Sequence, residues 1–285
     1  MRSGIVIYIG AVLVAILLGV ALIALLGVSI DDALDAFQDG TIGSAYAIGA
    51  SVNRSVVFGL VGTGFVLGQE RPGAGHALVF VERAGLVPVQ LLLEGGVVVG
   101  AELTAPEPFS LGGTVDPADA CACLSLDLHD LALDRHPPVI ASTGLPFLVV
   151  ELASRDALRR ARADSAAFAR VLPPHGVDGV YLYTRGLEPG EAGTDMQARM
   201  FAPLDGIPED PATGSATCAM VGLQAALLAE PDAEVSLLVG QGFDMGRPSL
   251  LRARAVRRGG QVEQVQVGGH CIAVMQGSFE LAGAG

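Results

Sequence analysis

Glu209-Asp210-Pro211-Ala212-Thr213-Gly214-Ser215-Ala216 stands directly before a segment that runs to Ala229 without a single charged residue. That segment is built mainly of Ala, Leu, Met, Val and Cys, and it predicts a helix over Ala216–Ala229. A helix lying on a surface would keep a charged face, so this one has to be buried on nearly all sides. Ahead of the octapeptide, Met196–Phe201 reads as a strand, and Pro203, Gly206 and Pro208 mark the loop that follows it. A buried helix whose first turn opens into a cleft offers unpaired backbone N–H groups, and the positive end of its dipole, to an anion. The competing structural reading is that Thr213 or Ser215 merely caps the helix while Asp210 compensates its dipole.

Working outward from this run, Val87–Leu93 and Val97–Leu103 read as strands joined through Gly95-Gly96 as a hairpin, and Leu124–Leu128 reads as a third strand. Ser142 to Val150 is a turn followed by a buried strand, Ser154 caps a helix, and Ser165–Val171 forms another. Gly179–Tyr183 is a further strand, and Gly186–Gly193 is a polar loop. Residues 41–68, rich in Gly, Ser, Val and Ala, read as short strands. Hairpins mixed with helices do not make a regular βαβ alternation, and neither GxGxxG after a strand nor GxxxxGK[ST] occurs, which argues against a doubly wound nucleotide-binding sheet.

The chain of 285 residues carries 17 Lys and Arg against 30 Asp and Glu, a net charge of −13 that repels phosphate and sets nucleic acid aside as a partner. The four cysteines, Cys121, Cys123, Cys218 and Cys271, lack paired metal-ligand spacing and read as small buried thiols in a reducing compartment. Ser3–Ile30 is long and apolar enough to cross a bilayer. A signal peptide, a pair of buried strands and a segment foreign to the rest of the chain are the other readings of that run.

The octapeptide resembles the signature of the PhzF-like family of phenazine biosynthesis. Further pieces resemble that family in order: Pro72-Gly73-Ala74-Gly75-His76, Ser142 to Phe147, Gly240 to Ser249, and Val267-Gly268-Gly269. The resemblance covers roughly residues 70–282 and implies an α+β fold of two similar lobes, each a mixed sheet or barrel around a central helix, as in diaminopimelate epimerase. The lobes implied are residues 1–130, completed by 262–285, and residues 131–261. It implies a metal-free, cofactor-free isomerase or epimerase that moves a proton on a small amino or hydroxy carboxylic acid. Asp210 and His76 would face each other across the cleft, with Gly75, Gly214, Ser215 and Ala216 binding the substrate. Of the two, Asp210 is the better base, since burial beside Glu209 would raise its proton affinity. A homodimer and a cytoplasmic location are also implied, the alternative being a membrane-anchored carboxylate-binding protein tethered through Ser3–Ile30. The family's general-base glutamate belongs in an Asn-x-Ser-Glu-Thr-x-Phe strand, whereas this chain has Asn53-Arg54-Ser55-Val56-Val57-Phe58 and no acidic residue between Gly40 and Glu70. A two-thiol racemase would need a cysteine from each lobe, and none precedes Cys121.

Overall fold

Strands whose side chains are apolar on both faces must be covered on both, and neighbouring residues 147–150 and 180–183 are such runs. The computed structural model describes residues 59–70, 76–82, 85–191 and 193–273. The strands are β1 (Ala77–Glu82), β2 (Gly85–Glu94), β3 (Val97–Thr104), β4 (Ser110–Thr114), β5 (Val139–Ser142), β6 (Pro146–Glu151), β7 (Val180–Thr184), β8 (Met196–Ala202), β9 (Ile207–Asp210), β10 (Ala233–Gln241), β11 (Ser249–Arg258) and β12 (Gln261–His270). They join into one sheet of order β1-β2-β3-β12-β11-β10-β8-β7-β6-β5-β4, with β9 pairing onto β8. Pairing is antiparallel except for β6 with β7 and β8 with β10, so the fold is α+β with a mixed sheet.

The helices are α1 over residues 59–70, α2 (Pro117–Leu124), α3 (Arg155–Arg160), α4 (Ser165–Val171) and α5 (Gly214–Ala226). Side chains alternate across each strand. In β6 and β7, Phe147, Val149, Tyr181 and Tyr183 enter the core that encloses α5. Leu148, Val150, Val180 and Leu182 enter a second core with α2, α3 and α4 on the opposite face. In β11 only Leu251, Ala253 and Ala255 are buried, while Arg252 is exposed and Arg254 partly so, which is the pattern of a sheet with one wet face.

Several expectations are met and others corrected. Gly95 and Gly96 turn the β2–β3 hairpin with φ of 57° and 83°, Ser154 Oγ accepts from Ala157 N at 3.1 Å at the start of α3, and α4 spans Ser165–Val171. Leu124–Leu128 is not a strand: Asp116 caps α2 with Pro117 in its first turn, and the helix closes at Leu124 with Ser125 left-handed at φ 55°. The helix that contains the octapeptide's end stops at Ala226, three residues short of Ala229. Residues 59–70 are helical rather than extended, because Leu60, Val61, Gly64, Phe65 and Gly68 recur at helical spacing and form its buried face. The glycines bring α1 onto the sheet, since a Cβ at Gly68 would stand 2.7 Å from Leu91 Cδ1. Among the described residues no helix is long and apolar enough to cross a membrane; Ser3–Ile30, Asn53–Phe58 and residues 41–58 as a whole lie outside the described residues.

A buried ionic cluster fastens β9 and the β10–β11 turn. Arg199 on β8 grips both oxygens of Glu209, Nε to Oε1 and Nη2 to Oε2 at 2.7 Å each, while Nη1 donates to the carbonyls of Leu158 (2.8 Å) and Ala161 (3.0 Å) that end α3. Its guanidinium also lies 4.7 Å from the Phe201 ring centre. Arg155 at the start of α3 holds Asp244 through Nη1 (2.9 Å) and Nη2 (2.8 Å), and Glu191 through Nε (2.6 Å). Burial alone would raise the Asp244 carboxyl, but the Arg155 hydrogen bonds and the charges of Arg155 and Arg199 outweigh it and hold it below the ordinary aspartate range.

Gly222 lies inside α5, where alanine would ordinarily gain about 1 kcal/mol, but its Cβ would meet Phe109 Cδ2 at 2.4 Å. Gly222→Ala therefore lowers stability, by roughly 1–3 kcal/mol in chemical denaturation, despite the helix preference. Arg199→Met strands Glu209 and the Leu158 carbonyl and costs about 3–5 kcal/mol in the same measurement. Because the folded carboxyl of Asp244 is lowered, its contribution is complete above the ordinary value near pH ~4 and is lost as pH falls through the lowered one. Asp244→Asn accordingly flattens the acid limb of the stability–pH curve.

Candidate active site

β9 ends at Asp210 and α5 begins at Gly214, so the carboxylate and the helix start are placed by one short connection. Gln241, fully buried at the end of β10, fixes that connection with its side-chain amide. Its Oε1 accepts from Thr213 N at 3.1 Å, and its Nε2 donates to the Asp210 carbonyl at 2.8 Å and to Thr213 Oγ1 at 3.0 Å. With Gln241 donating to the threonine oxygen, the hydroxyl proton turns to Asp210 Oδ2, 2.6 Å away. Thr213 is thus the N-cap residue of α5 by position but makes no side-chain cap.

That diversion decides what the helix start can do. The first intrahelical donor is Thr217, whose N and Oγ1 both reach the Thr213 carbonyl at 3.0 and 2.8 Å. Among the described residues, the amides of Gly214, Ser215 and Ala216 meet no hydrogen-bond acceptor. The Ser215 hydroxyl is buried and also unpartnered. Unpaired donors gathered at the positive end of a buried 13-residue helix favour an anion there, since each would otherwise bear the cost of burial without a partner. Gly242 follows Gln241 with φ 77°, and a Cβ on it would lie 2.7 Å from the Pro211 carbonyl oxygen, so the turn that presents Gln241 closes directly against the motif loop.

Asp210, Gly214, Ser215 and Ala216 therefore lie together at the end of β9 and the start of α5. Glu209 does not join them: successive strand residues face opposite ways, and its carboxylate is spent on Arg199. Gly75 lies outside the described residues. His76 is exposed and precedes edge strand β1, its carbonyl accepting from Leu91 N at 2.8 Å. β2, β3, β12, β11 and β10 lie between β1 and β8 in the sheet, and the described contacts do not bring His76 to Asp210. The sequence offers Thr213 only as a cap and does not single out Gln241, whose clue is a glutamine between two glycines after an apolar strand, a polar residue about to be buried.

Other chemistries are poorly served. Burial pushes the Cys218 thiol up to about 12 and those of Cys121 and Cys123 up to about 11, so none offers a thiolate at neutral pH. Among the described residues, Asp127, His129 and Asp130 bring ligand atoms within 4.8 Å of one another. Asp130 is already engaged there by Arg160 Nη2 and by Asp127 N, so a cation would have to displace an arginine.

Comparison with known proteins agrees with this architecture. An uncharacterized isomerase of Mesorhizobium japonicum is 30% identical over 226 residues, 77% of this chain and 73% of that protein. An uncharacterized isomerase of Deinococcus radiodurans is 34% identical over 75% of this chain and 68% of its own length. A trans-2,3-dihydro-3-hydroxyanthranilate isomerase of Pseudomonas chlororaphis is 27% identical over 78% of this chain and 73% of that protein. Among solved structures, a Bacillus anthracis phenazine biosynthesis protein of the PhzF family superposes with TM-score 0.65 at 21% identity, covering 74% of this chain and 71% of its own. A predicted epimerase of Pseudomonas aeruginosa gives 0.54 at 28% identity, over 74% and 69%. With the phenazine biosynthesis-like profile, PhzC-PhzF, matching residues 59–277, this chain belongs to that family and has its diaminopimelate-epimerase-like fold.

Proposed function

We propose that the protein is a cofactor-independent isomerase that shifts a proton on a small amino or hydroxy carboxylic acid. The observation that carries this reading is the uncapped start of α5, where the Gly214, Ser215 and Ala216 amides and the Ser215 hydroxyl converge next to Asp210. The substrate carboxylate occupies those donors. Asp210 takes a proton from a carbon conjugated to the carboxylate, and the negative charge spreads onto oxygens already facing N–H groups. Thr213, donating to Oδ2, fixes the carboxylate plane against the substrate. The isomerase and epimerase names of the relatives support the same reaction class.

The placement of the groups favours isomerisation over epimerisation. One carboxylate removes and returns a proton on a single face of the substrate, whereas inversion needs an acid on the other face. His76 is the residue the family resemblance offers for that second role, and its exposed place beside β1 argues for the one-base reading. A second reading rests on the absence of any acidic residue between Gly40 and Glu70: the same fold retained as a carboxylate-binding protein without turnover.

Solvent deuterium separates these readings. Under the proposal, a panel of small conjugated amino and hydroxy acids yields at least one substrate that takes up deuterium during turnover. Asp210→Asn lowers kcat/KM by about 10²–10⁴, and His76→Gln changes it little. Ser215→Ala, by removing a hydrogen bond to a charged group, raises KM by about 10–100-fold. Saturable binding with no exchange across the panel would establish the non-catalytic reading instead. For Gln241→Leu, loss of activity should exceed loss of binding, because the Thr213 hydroxyl is then released to cap α5 and Asp210 loses its donor.

A further inference from the structure

At the opposite end of α5 from Asp210 lies a second polar cluster, about 15 Å along the helix from Gly214 at 1.5 Å per residue. Gln224 in the last turn presents its Oε1 to two arginines, Arg135 through Nη2 at 3.2 Å and Arg185 through Nη2. Its Nε2 donates to the Tyr183 hydroxyl at 2.8 Å. Tyr183 in turn donates to Glu151 Oε2 at 2.8 Å, and His136 Nε2 lies 2.9 Å from the same hydroxyl. Glu151, His136, Tyr183 and Gln224 are all buried, so the floor of the cluster is fixed.

The charges over that floor do not balance. Among the described residues Glu151 is the one carboxylate paired with these arginines, and both its oxygens are taken, Oε2 by Tyr183 and Oε1 by Arg185 Nε at 3.2 Å. Arg135 Nε stands 3.7 Å from Oε2, too far for a hydrogen bond, so among the described residues its only hydrogen-bond partner is the neutral amide of Gln224. Leaving His136 aside, two guanidinium groups share one carboxylate and one amide oxygen. Both are part-open to solvent, with side-chain exposures of 40% and 39%, and among the described residues neither Nη1 makes a hydrogen bond. Two like charges drawn to one oxygen repel each other unless an anion bridges them, and planar guanidinium forks suit an anion with two or more oxygens. On a chain of net charge −13 such a focus is local and selective.

We propose that Arg135 and Arg185, held by Gln224 and Glu151, form a second binding site for a carboxylate or phosphoryl oxyanion, separate from the site at the start of α5. The ligand bridges the two Nη1 groups and leaves the Tyr183–Glu151 floor undisturbed. This inference does not depend on the catalytic reading, because no residue is shared between the two ends of the helix.

The test is thermal unfolding and titration calorimetry of the full chain with inorganic phosphate, and in a parallel arm with succinate, ionic strength being matched with sodium chloride. Saturable binding and a rise in Tm of roughly 5–10 °C at about a hundred times Kd are expected for at least one of the two. The effect should vanish in Arg185→Gln and Arg135→Gln and survive in Ser215→Ala. Arg135→Gln is the safer variant, since Arg135 makes no hydrogen bond to buried Glu151, and its folding is checked by circular dichroism. A rise no larger than sodium chloride gives, one that persists in a folded Arg135→Gln protein, or one that disappears in Ser215→Ala overturns the assignment. Phosphate without succinate would mark a phosphoryl ligand, and succinate without phosphate a carboxylate, either of which supports the site.

Discussion

A 13-residue helix without one charged side chain has to be enclosed, and the architecture follows from enclosing α5. β5 to β8 and β10 to β12 supply the walls, and where a wall strand carries helices on its other side its side chains are buried on both faces, as in β6 and β7. Polar chemistry is then confined to the two ends of the helix, where backbone groups lack intrahelical partners. At the N-terminal end the donors are left unpaired because Gln241 draws the Thr213 hydroxyl away from them. At the C-terminal end Gln224 gathers a cluster around Tyr183. The helix acts as a rigid spacer between two chemically different places.

The Arg199–Glu209 and Arg155–Asp244 pairs belong to a different kind of energetics. Buried ion pairs seldom add much stability over apolar replacements of equal volume, because the cost of removing water from the charges offsets their attraction. What they supply is geometry. Arg199 ties β9 to the carbonyls at the end of α3, and Arg155 ties the start of α3 to the β10–β11 turn. Asp210 and Gln241, the neighbours of those anchored segments, inherit their positional precision.

How much of this was legible in the sequence depended on whether the signal was local. The β2–β3 hairpin announced itself through Gly95-Gly96, and α3 through its cap Ser154, because turn and cap chemistry act within a few residues. The helix over residues 117–124 is hidden because Leu124, Leu126 and Leu128 alternate as in a strand, while the Asp116-Pro117 start signal is short. Residues 59–68 read as extended because their glycines suppress helix propensity; here the helix is decided by packing on Leu91, a contact between distant parts of the chain. Asp210, Gly214, Ser215 and Ala216 were readable from one contiguous motif. The roles of Gln241, Arg199 and Gln224 were not, since each acts through partners 10 to 89 residues away.

The strand β12 lies between β3 and β11, and it is the last strand of the described chain to be synthesised. Until residues 261–270 leave the ribosome, both neighbours present open backbone edges, one on each side of an unfilled slot. The β1–β3 meander and the strands around α5 can each form earlier through local hairpins, but their union waits for this insertion. Closure of the sheet is therefore a late event with large sequence separation, between Gly268 and Glu102 for example, and the nascent protein passes through a stage in which two sticky edges must be shielded from neighbouring chains.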